Sequence, residues 1–156
     1  MNRHAVREAE PRDAEAINEL ERRCYPPEDV FSPKRIRFLL KSRTCLALVI
    51  RGPHREILAN VIGLLRHFPK IPSGRVYKIT IDPSLRGLGL ATRLIKTMEG
   101  RFKRAGMMRV CAEVRESNRP SRKLFEGCGY VATNSLQRYY PDGENGTKYW
   151  KTLAPT

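Results

Sequence analysis

Acidic residues are scarce in this 156-residue chain, since 16 Asp and Glu stand against 30 Lys and Arg and leave a formal net charge of +14. Such an excess of positive charge favours polyanions as partners. Nucleic acid, a ribosomal surface and a phosphate-rich cofactor are all compatible with it, and charge alone does not choose among them. The length suits one hydrophobic core, so we expect residues 1–156 to form a single domain.

Long apolar runs are also lacking. The cleanest one, Cys45–Ile50, has six residues, far fewer than the roughly 20 that a membrane-spanning helix needs. The N-terminal segment Met1–Glu8 has no apolar core of the kind that a secretory signal requires. We therefore expect a soluble, cytoplasmic protein without a membrane partner.

Cysteine is rare, with four residues, and none of them forms a C-x-x-C pair. Cys24, Cys45, Cys111 and Cys128 each lie among apolar neighbours, which predicts buried free thiols in a reducing compartment. No histidine motif accompanies them and no ligand pair has zinc-like spacing. The sequence therefore predicts neither a cysteine nucleophile nor a metal site.

Apolar periodicity and turn residues predict a mixed α/β fold in which two helices precede a three-strand meander. A strand, a helix and a further strand between residues 75 and 114 require at least one parallel strand pair. The predicted elements, in chain order, are a short strand at Ala5–Ala9, a helix opened by Pro11–Asp13, a helix opened by Ser32–Pro33, strands at Cys45–Arg51 and Ile57–Arg66, a loop at Phe68–Gly74, a strand at Arg75–Asp82, a helix at Leu90–Ala105, a strand at Arg109–Val114, a helix capped by Ser117 or Asn118 and ending at Glu126, and strands at Tyr130–Thr133 and Lys148–Leu153.

The segment Ile79–Thr92 joins a predicted strand to a predicted helix through a loop that contains Gly87 and Gly89. The first turn of a helix has four N–H groups without intrahelical partners, and glycine lets backbone N–H groups approach an anion closely. The loop therefore predicts a pyrophosphate site. It is not a P-loop, because no Gly-Lys-Ser/Thr follows at the required spacing, and it lacks the third glycine of a dinucleotide fingerprint.

Four ordered motifs resemble those of the GNAT superfamily of acetyltransferases. The resemblance is strong from residue 75 to about residue 150, whereas residues 1–74 fit the family's layout without a diagnostic motif. The motifs are Arg86–Ala91, which matches [R/Q]-x-x-G-x-[G/A]; Glu113–Asn118, which is similar to E-V-R-x-S-N; Leu124–Tyr130, which is similar to L-Y-x-x-x-G-F; and Arg138–Pro141, which is similar to the R-x-Y-Y-P of the ribosomal-protein N-terminal alanine acetyltransferases.

This resemblance implies a central mixed, mostly antiparallel sheet flanked by helices, with acetyl-CoA as co-substrate in a strand-loop-helix site. It implies that the loop holds the pyrophosphate, that the preceding strand pairs with the pantetheine arm, and that the Ile81 amide lies near the acetyl carbonyl. Asn118 resembles a cofactor contact, with helix capping as an alternative or additional role. The implied cofactor-binding residues are Ile79, Thr80, Ile81, Arg86, Gly87, Leu88, Gly89, Leu90, Ala91, Thr92 and Asn118.

Acetyl transfer to an amine needs a proton acceptor, a polarised carbonyl and aligned reactants. The resemblance places the general base at Glu113, acting directly or through a water, with a solvent-facing carboxylate as the alternative. It places a tyrosine acid where this chain has Phe125, which cannot donate a proton. Either Tyr139 or Tyr140 replaces that hydroxyl, with packing and loop closure as their alternative role, or the thiolate, with a pKa near 8.5, leaves unassisted.

The expected activity is acetylation of a protein N-terminal α-amine, with ribosomal proteins as candidate substrates. An alternative on the same scaffold is acetylation of lysine side chains, polyamines or another small amine. A second alternative is a basic nucleic-acid-binding module, but the chain has no zinc finger or aromatic-glycine RNA motif, so we expect no sequence-specific nucleic acid. A basic ribosomal protein would be repelled at long range by this basic chain.

Overall fold

The computed structural model describes residues 4–154, so part of the N-terminal segment on which the secretory prediction depends lies outside the described residues. Whether the chain forms one domain stays a prediction. Within the described residues the strands are β1 (Val6–Glu8), β2 (Cys45–Arg51), β3 (Ile57–Arg66), β4 (Ser73–Ile81), β5 (Arg109–Arg115), β6 (Val131–Leu136) and β7 (Gly146–Thr152), and the α-helices are α1 (Ala14–Cys24), α2 (Pro33–Lys41), α3 (Leu90–Arg104) and α4 (Arg119–Gly127).

These strands form a sheet in the order β1-β2-β3-β4-β5-β7-β6. Strands β4 and β5 run parallel, and the other neighbouring pairs are antiparallel. The predicted mixed α/β fold with a mostly antiparallel sheet is therefore confirmed, and so is the predicted parallel pair.

Two helical layers cover the sheet. The apolar stripe of α3 predicted from the sequence is buried against one face, together with Tyr149 and Val110. Helices α1 and α2 pack on the other face, where Ile17, Leu20 and Ile36 form a smaller cluster with Val49. The confirmed stripe of α3 consists of Leu90, Leu94, Ile95, Met98 and Phe102.

Strand β4 is bent by a bulge and then leaves its parallel neighbour. Gly63 of β3 pairs with Val76 and Ile62 pairs with Lys78, so Tyr77 is an extra residue in β4. A bulge of this kind bends a strand and increases its twist. The β4–β5 register ends at the pair Val76↔Ala112, although β4 continues to residue 81. The sheet therefore opens between the two strands just before the N-terminus of α3.

Several predicted boundaries were wrong. Ser73 and Gly74 belong to β4 rather than to the preceding loop, because they pair with β3. A Cβ atom at Gly74 would lie 2.6 Å from the ring of Phe102, so glycine lets the strand pass beneath α3. Strand β6 begins after Tyr130 and extends to Leu136, because it pairs with β7 over its whole length. The remaining helices and strands differ from the predictions by at most two residues at an end.

The four cysteines are free thiols, but only Cys111 and Cys128 are buried, whereas Cys24 and Cys45 are partly exposed. The prediction of four buried thiols is therefore wrong for two of them. Burial raises the pKa of each thiol, to about 11 at Cys45. The thiols are consequently protonated at neutral pH and poor nucleophiles.

Within residues 4–154, none of the helices combines the length and the apolar character that crossing a bilayer demands. In the same part of the chain, no cluster of three or more His, Cys, Asp or Glu side chains is arranged to hold a metal ion.

Candidate active site

A cavity of about 570 Å³ lies where β4 and β5 separate. It brings together the end of β4, the loop before α3 and the start of α4, and ten of the eleven predicted cofactor-binding residues line it. Leu88 is the exception, and its side chain is 59% exposed. The lining residues are Cys24, Tyr25, Ile79, Thr80, Ile81, Leu85, Arg86, Gly87, Gly89, Leu90, Ala91, Thr92, Asn118, Pro120, Ser121 and Leu124.

The loop before α3 has the backbone conformation that its glycines permit. Gly87 and Gly89 have φ angles of 82° and 76°, in the left-handed region that side chains rarely adopt. A Cβ atom on either residue would meet no protein atom within 4 Å, so conformation rather than crowding requires glycine there. Gly89 is the N-cap of α3 and offers no side-chain acceptor, which leaves the first N–H groups of the helix available to an anion in the cavity.

The end of β4 forms a second wall of the cavity. The N–H of Asp82 donates to the carbonyl oxygen of Leu58 on β3. Backbone N–H and C=O groups of successive residues point alternately to the two edges of a strand, so those of Ile79 and Ile81 point to the other edge of β4, from which β5 has separated. Tyr25 Oη donates to the carbonyl oxygen of Ile79 at 2.7 Å, and Cys24 Sγ donates to that of Ile81 at 3.4 Å.

Tyr25 and Cys24 were not predicted from the sequence. They follow the apolar stripe of α1, and no local motif marks them, since the packing of α1 against β4 is what brings them to the cavity. Burial raises the pKa of Tyr25, so its hydroxyl stays a donor at neutral pH.

Asn118 lies at the start of α4, where it caps the helix and lines the cavity. Its Oδ1 accepts a hydrogen bond from the N–H of Ser121 at 3.2 Å, which makes it the N-cap of the helix. It also lines the cavity together with Pro120 and Ser121. A second helix N-terminus therefore faces the same space as that of α3.

Glu113 lies on β5 one residue beyond the last β4–β5 pair, at the level where the strands part. Its side chain is only 10% exposed, so it is not a solvent-facing carboxylate. Arg75 Nη2 donates to Oε2 at 3.1 Å, and Nζ of Lys148, the residue directly opposite on β7, lies 3.9 Å from Oε1. Two cations thus hold this carboxylate in place.

The two candidate tyrosines lie beside this carboxylate. The interaction of the Tyr139 hydroxyl with the Glu113 carboxylate raises the pKa of Tyr139. The Tyr140 ring meets that of Tyr139 edge to face at 5.2 Å and lies 4.2 Å from the guanidinium of Arg115. Burial raises the pKa of Tyr140 to about 12. Both hydroxyls are therefore protonated at neutral pH.

Arg115 joins two loops next to Tyr140, a role that the sequence did not reveal. It contacts Asp142 at 2.9 Å and Glu144 at 3.1 Å, both in the β6–β7 loop. It also contacts Asp29, in the loop between α1 and α2, at 3.4 Å. The two loops are thereby tied together on the side of the sheet that carries Glu113.

Phe125, which stands where the resembling branch has tyrosine, is a core residue. Its ring packs edge to face on Tyr130 at 5.1 Å and is stacked on Tyr149 at 6.4 Å. Its side chain is 3% exposed. The structure therefore brings Tyr139 and Tyr140, and not residue 125, to the Glu113 side of the sheet.

A profile of the acetyltransferase (GNAT) family matches residues 14–130. This match covers well over half of the chain, so the chain belongs to the GNAT family of acetyltransferases. The opened parallel strand pair and the glycine loop at a helix N-terminus both lie within the matched residues.

Named relatives define the type of acetyltransferase. An uncharacterised N-acetyltransferase of Methanocaldococcus jannaschii is 28% identical over 145 residues, which are 90% of this chain and 86% of the relative. The ribosomal protein bS18 alanine N-acetyltransferase of Haemophilus ducreyi is 26% identical over 82 residues, which are 53% of this chain and 57% of the relative. The family and these relatives together identify the chain as an N-acetyltransferase.

Solved structures show the same fold. Arabidopsis thaliana NAA60 in complex with acetyl-CoA superposes with a TM-score of 0.84 at 13% identity, covering 96% of this chain and 98% of that one. The ribosomal-protein-S18-alanine N-acetyltransferase of Escherichia coli superposes with a TM-score of 0.79 at 20% identity, covering 98% and 96% respectively. At these identities the likeness concerns the fold alone.

Proposed function

We propose that this chain transfers an acetyl group from acetyl-CoA to the α-amine of a protein N-terminus by direct attack. The observation that carries the proposal is a juxtaposition. A cavity with a phosphate-compatible helix start lies along the end of β4, and a shielded carboxylate, Glu113, lies where β4 and β5 part. A bound thioester and an attacking amine can therefore meet between the two strands.

Acetyl-CoA supplies the activated acetyl group, and the chain supplies the groups that hold it. The N–H groups at the start of α3, together with Gly87 and the cation of Arg86, would bind the pyrophosphate. Because Tyr25 and Cys24 already engage two carbonyl groups of β4, the N–H groups of that edge are the ones left to pair with the pantetheine arm.

Strand geometry favours Ile79 over Ile81 as the donor to the developing oxyanion. A strand advances about 3.3 Å per residue, so the Ile81 amide lies roughly 13 Å beyond the level of Glu113, and the Ile79 amide roughly 7 Å beyond it. The attacked carbon must lie about 3 Å from the amine, and the oxyanion about 3 Å from its donor. Only the shorter of these two separations lets Glu113 and the amide of Ile79 act on one acetyl group. Ile81 then contacts the pantetheine arm further along the strand.

Glu113 is proposed to accept the proton of the attacking amine. Arg75 and Lys148 fix its carboxylate, and their positive charges disfavour the entry of an ammonium ion. The site therefore favours an amine that is already partly neutral. An α-amine with a pKa near 7.8 is about one-seventh neutral at pH 7, whereas a lysine with a pKa near 10.4 is only about 0.04% neutral.

The acceptor preference is tested by competition between two peptides. One has a free N-terminus and an internal lysine, and the other is the same peptide with its N-terminus blocked. We expect acetylation at the α-amine to be at least about tenfold faster, because the greater nucleophilicity of lysine only partly offsets its scarcity in neutral form. Mass spectrometry locates the acetyl group. Equal or faster modification of the blocked peptide would favour a lysine or polyamine acceptor instead.

The departing thiolate is not expected to take its proton from Tyr140. With the pKa of Tyr140 raised to about 12 and a thiol pKa near 8.5, that transfer is uphill by about 5 kcal/mol. We expect Tyr140→Phe to keep kcat within about twofold. We expect Tyr139→Phe to lower kcat about three- to tenfold, because the interaction between the hydroxyl and the Glu113 carboxylate is lost.

These expectations are tested by measuring the single-turnover rates of both tyrosine variants with saturating acetyl-CoA. A hundredfold loss in Tyr140→Phe would identify Tyr140 as the acid after all. The variant Phe125→Tyr serves as a comparison, because a higher kcat than that of the unchanged chain would reveal an acid position that Phe125 leaves vacant.

A further inference from the structure

Basic and aromatic side chains form a continuous surface beside Glu113. Val76, Ala112 and Tyr149 point into the core under α3. The alternating residues of β5 and β7 therefore face the other side of the sheet. We call this surface the basic strip, and it consists of Arg35, Arg75, Tyr77, Arg109, Lys148 and Trp150.

The cations of the basic strip are held mainly by aromatic rings. The guanidinium of Arg109 lies 3.8 Å from the ring centroid of Trp150, and Lys148 Nζ lies 5.0 Å from the same centroid. Arg75 lies 5.0 Å from the ring of Tyr77, whose hydroxyl accepts a hydrogen bond from Arg35 at 2.6 Å. Ring contacts orient these cations without neutralising them.

The basic strip has fewer carboxylates than cations, so most of its positive charge is not neutralised by ion pairs. Within residues 4–154, Glu113 is the only carboxylate that forms an ion pair with any of them, and it is shared between Arg75 and Lys148. The buried Nε of Arg75 has no hydrogen-bond partner among the described residues. The nearby acids of the two loops engage Arg115 instead.

Building on the proposed function, we propose that the basic strip binds an acidic segment of the acceptor polypeptide that directly follows its α-amine. From Glu113 to Arg109 the strip spans four residues of β5, or about 13 Å, which is the length of about four extended residues. Acidic side chains among roughly the first five acceptor residues would therefore reach it. An acceptor carboxylate also gives Arg75 and Lys148 a second partner, which leaves Glu113 freer to accept the amine's proton.

A matched peptide series tests this inference. The peptides share a free N-terminal alanine and differ only at positions 2 to 5, which carry two Glu, two Gln or two Lys. We expect kcat/KM to be roughly tenfold higher for the Glu peptide than for the Gln peptide, and lowest for the Lys peptide. The ratio should shrink as salt rises from 20 to 500 mM, because partly exposed charge pairs are screened.

Charge-reversal variants show whether the strip or the net charge of the chain causes the preference. Arg109→Glu, and independently Arg35→Glu on the exposed side of α2, should abolish the preference for the Glu peptide. Arg104→Glu changes the net charge equally at an exposed position of α3, on the other face of the sheet, and should leave the preference unchanged. Equal kcat/KM for the Glu and Gln peptides, or an equal loss in Arg104→Glu, would overturn the proposal.

A binding measurement separates this inference from the proposed function. Trp150 is the single tryptophan of the chain, so its fluorescence reports ligands on the strip. N-acetylated versions of the peptides, which mimic the product, should bind in the order Glu, Gln, Lys. That order without any α-amine acetylation would refute the proposed function and leave the strip assignment intact. Tight binding of polyuridylate with no discrimination among the peptides would make the strip a nucleic-acid surface and overturn the assignment.

Discussion

Replacing Gly89 by Asp is expected to weaken acetyl-CoA binding by at least about 100-fold. The substitution puts a carboxylate at the N-terminus of α3, where a Cβ atom points into space that the protein leaves open. A negative charge about 4 Å from a phosphate is repelled by about 4 kcal/mol at an effective dielectric constant near 20, so even strong screening leaves a large loss. Isothermal titration of the purified variant with acetyl-CoA measures the effect.

Two control variants separate charge from backbone strain. Gly89→Asn has nearly the same shape and the same tolerance of a positive φ, but it is neutral, so we expect it to lose no more than about tenfold in affinity. Gly106→Asp places the same side chain at a φ of 88° beyond the far end of α3 and should bind acetyl-CoA normally. If Gly89→Asp binds as tightly as Gly89→Asn, the phosphate does not lie at this helix start.

Local sequence was sufficient to predict the loop and the helix starts that line the cavity. The αL glycines, the start of α3 and the cap at Asn118 are each specified within a few residues, because turn and helix-start chemistry is local. The buried stripe of α3 follows equally from its period. These features therefore agree with the sequence predictions to within a residue or two.

The surroundings of Glu113 depend on strand register, which local sequence does not encode. Arg75 and Lys148 reach Glu113 only because Arg75 pairs with Cys111 on β5 and Lys148 pairs with Glu113 itself. A shift of one residue in either pairing would direct these side chains to the opposite face. The bulge at Tyr77 likewise depends on how β3 pairs with β4.

The same reasoning explains why the roles of Tyr25 and Arg115 were missed. Tyr25 is 54 residues from Ile79 along the chain, and it reaches the backbone of β4 only when α1 packs across the sheet. Arg115 joins loops that lie 86 and 27 residues away from it. The chemistry of such residue types is evident from the sequence, but their partners are not.

Replacing Glu113 by Gln is expected to lower kcat by roughly 10²–10⁴-fold, the usual range for the loss of a general base. Glutamine keeps the shape of the side chain and can still accept a hydrogen bond from Arg75, but it does not accept the amine's proton. Because Glu113 lies outside the cavity lining, the affinity for acetyl-CoA should change by less than about threefold. Steady-state kinetics with the N-terminal peptide and calorimetry with acetyl-CoA measure the two quantities.

Glu113 also neutralises Arg75 and Lys148, so a fall in kcat alone does not separate catalysis from structure. The pH dependence does. With a pKa near 7.8, the neutral fraction of the α-amine rises about sevenfold between pH 7 and pH 9.5, so the deficit of the variant should shrink by up to about sevenfold over this range if Glu113 acts as a base. Glu116→Gln removes an exposed carboxylate three residues away and should behave like the unchanged chain at every pH. A deficit in Glu113→Gln that stays constant across this range would mean that the carboxylate organises the site without accepting the proton.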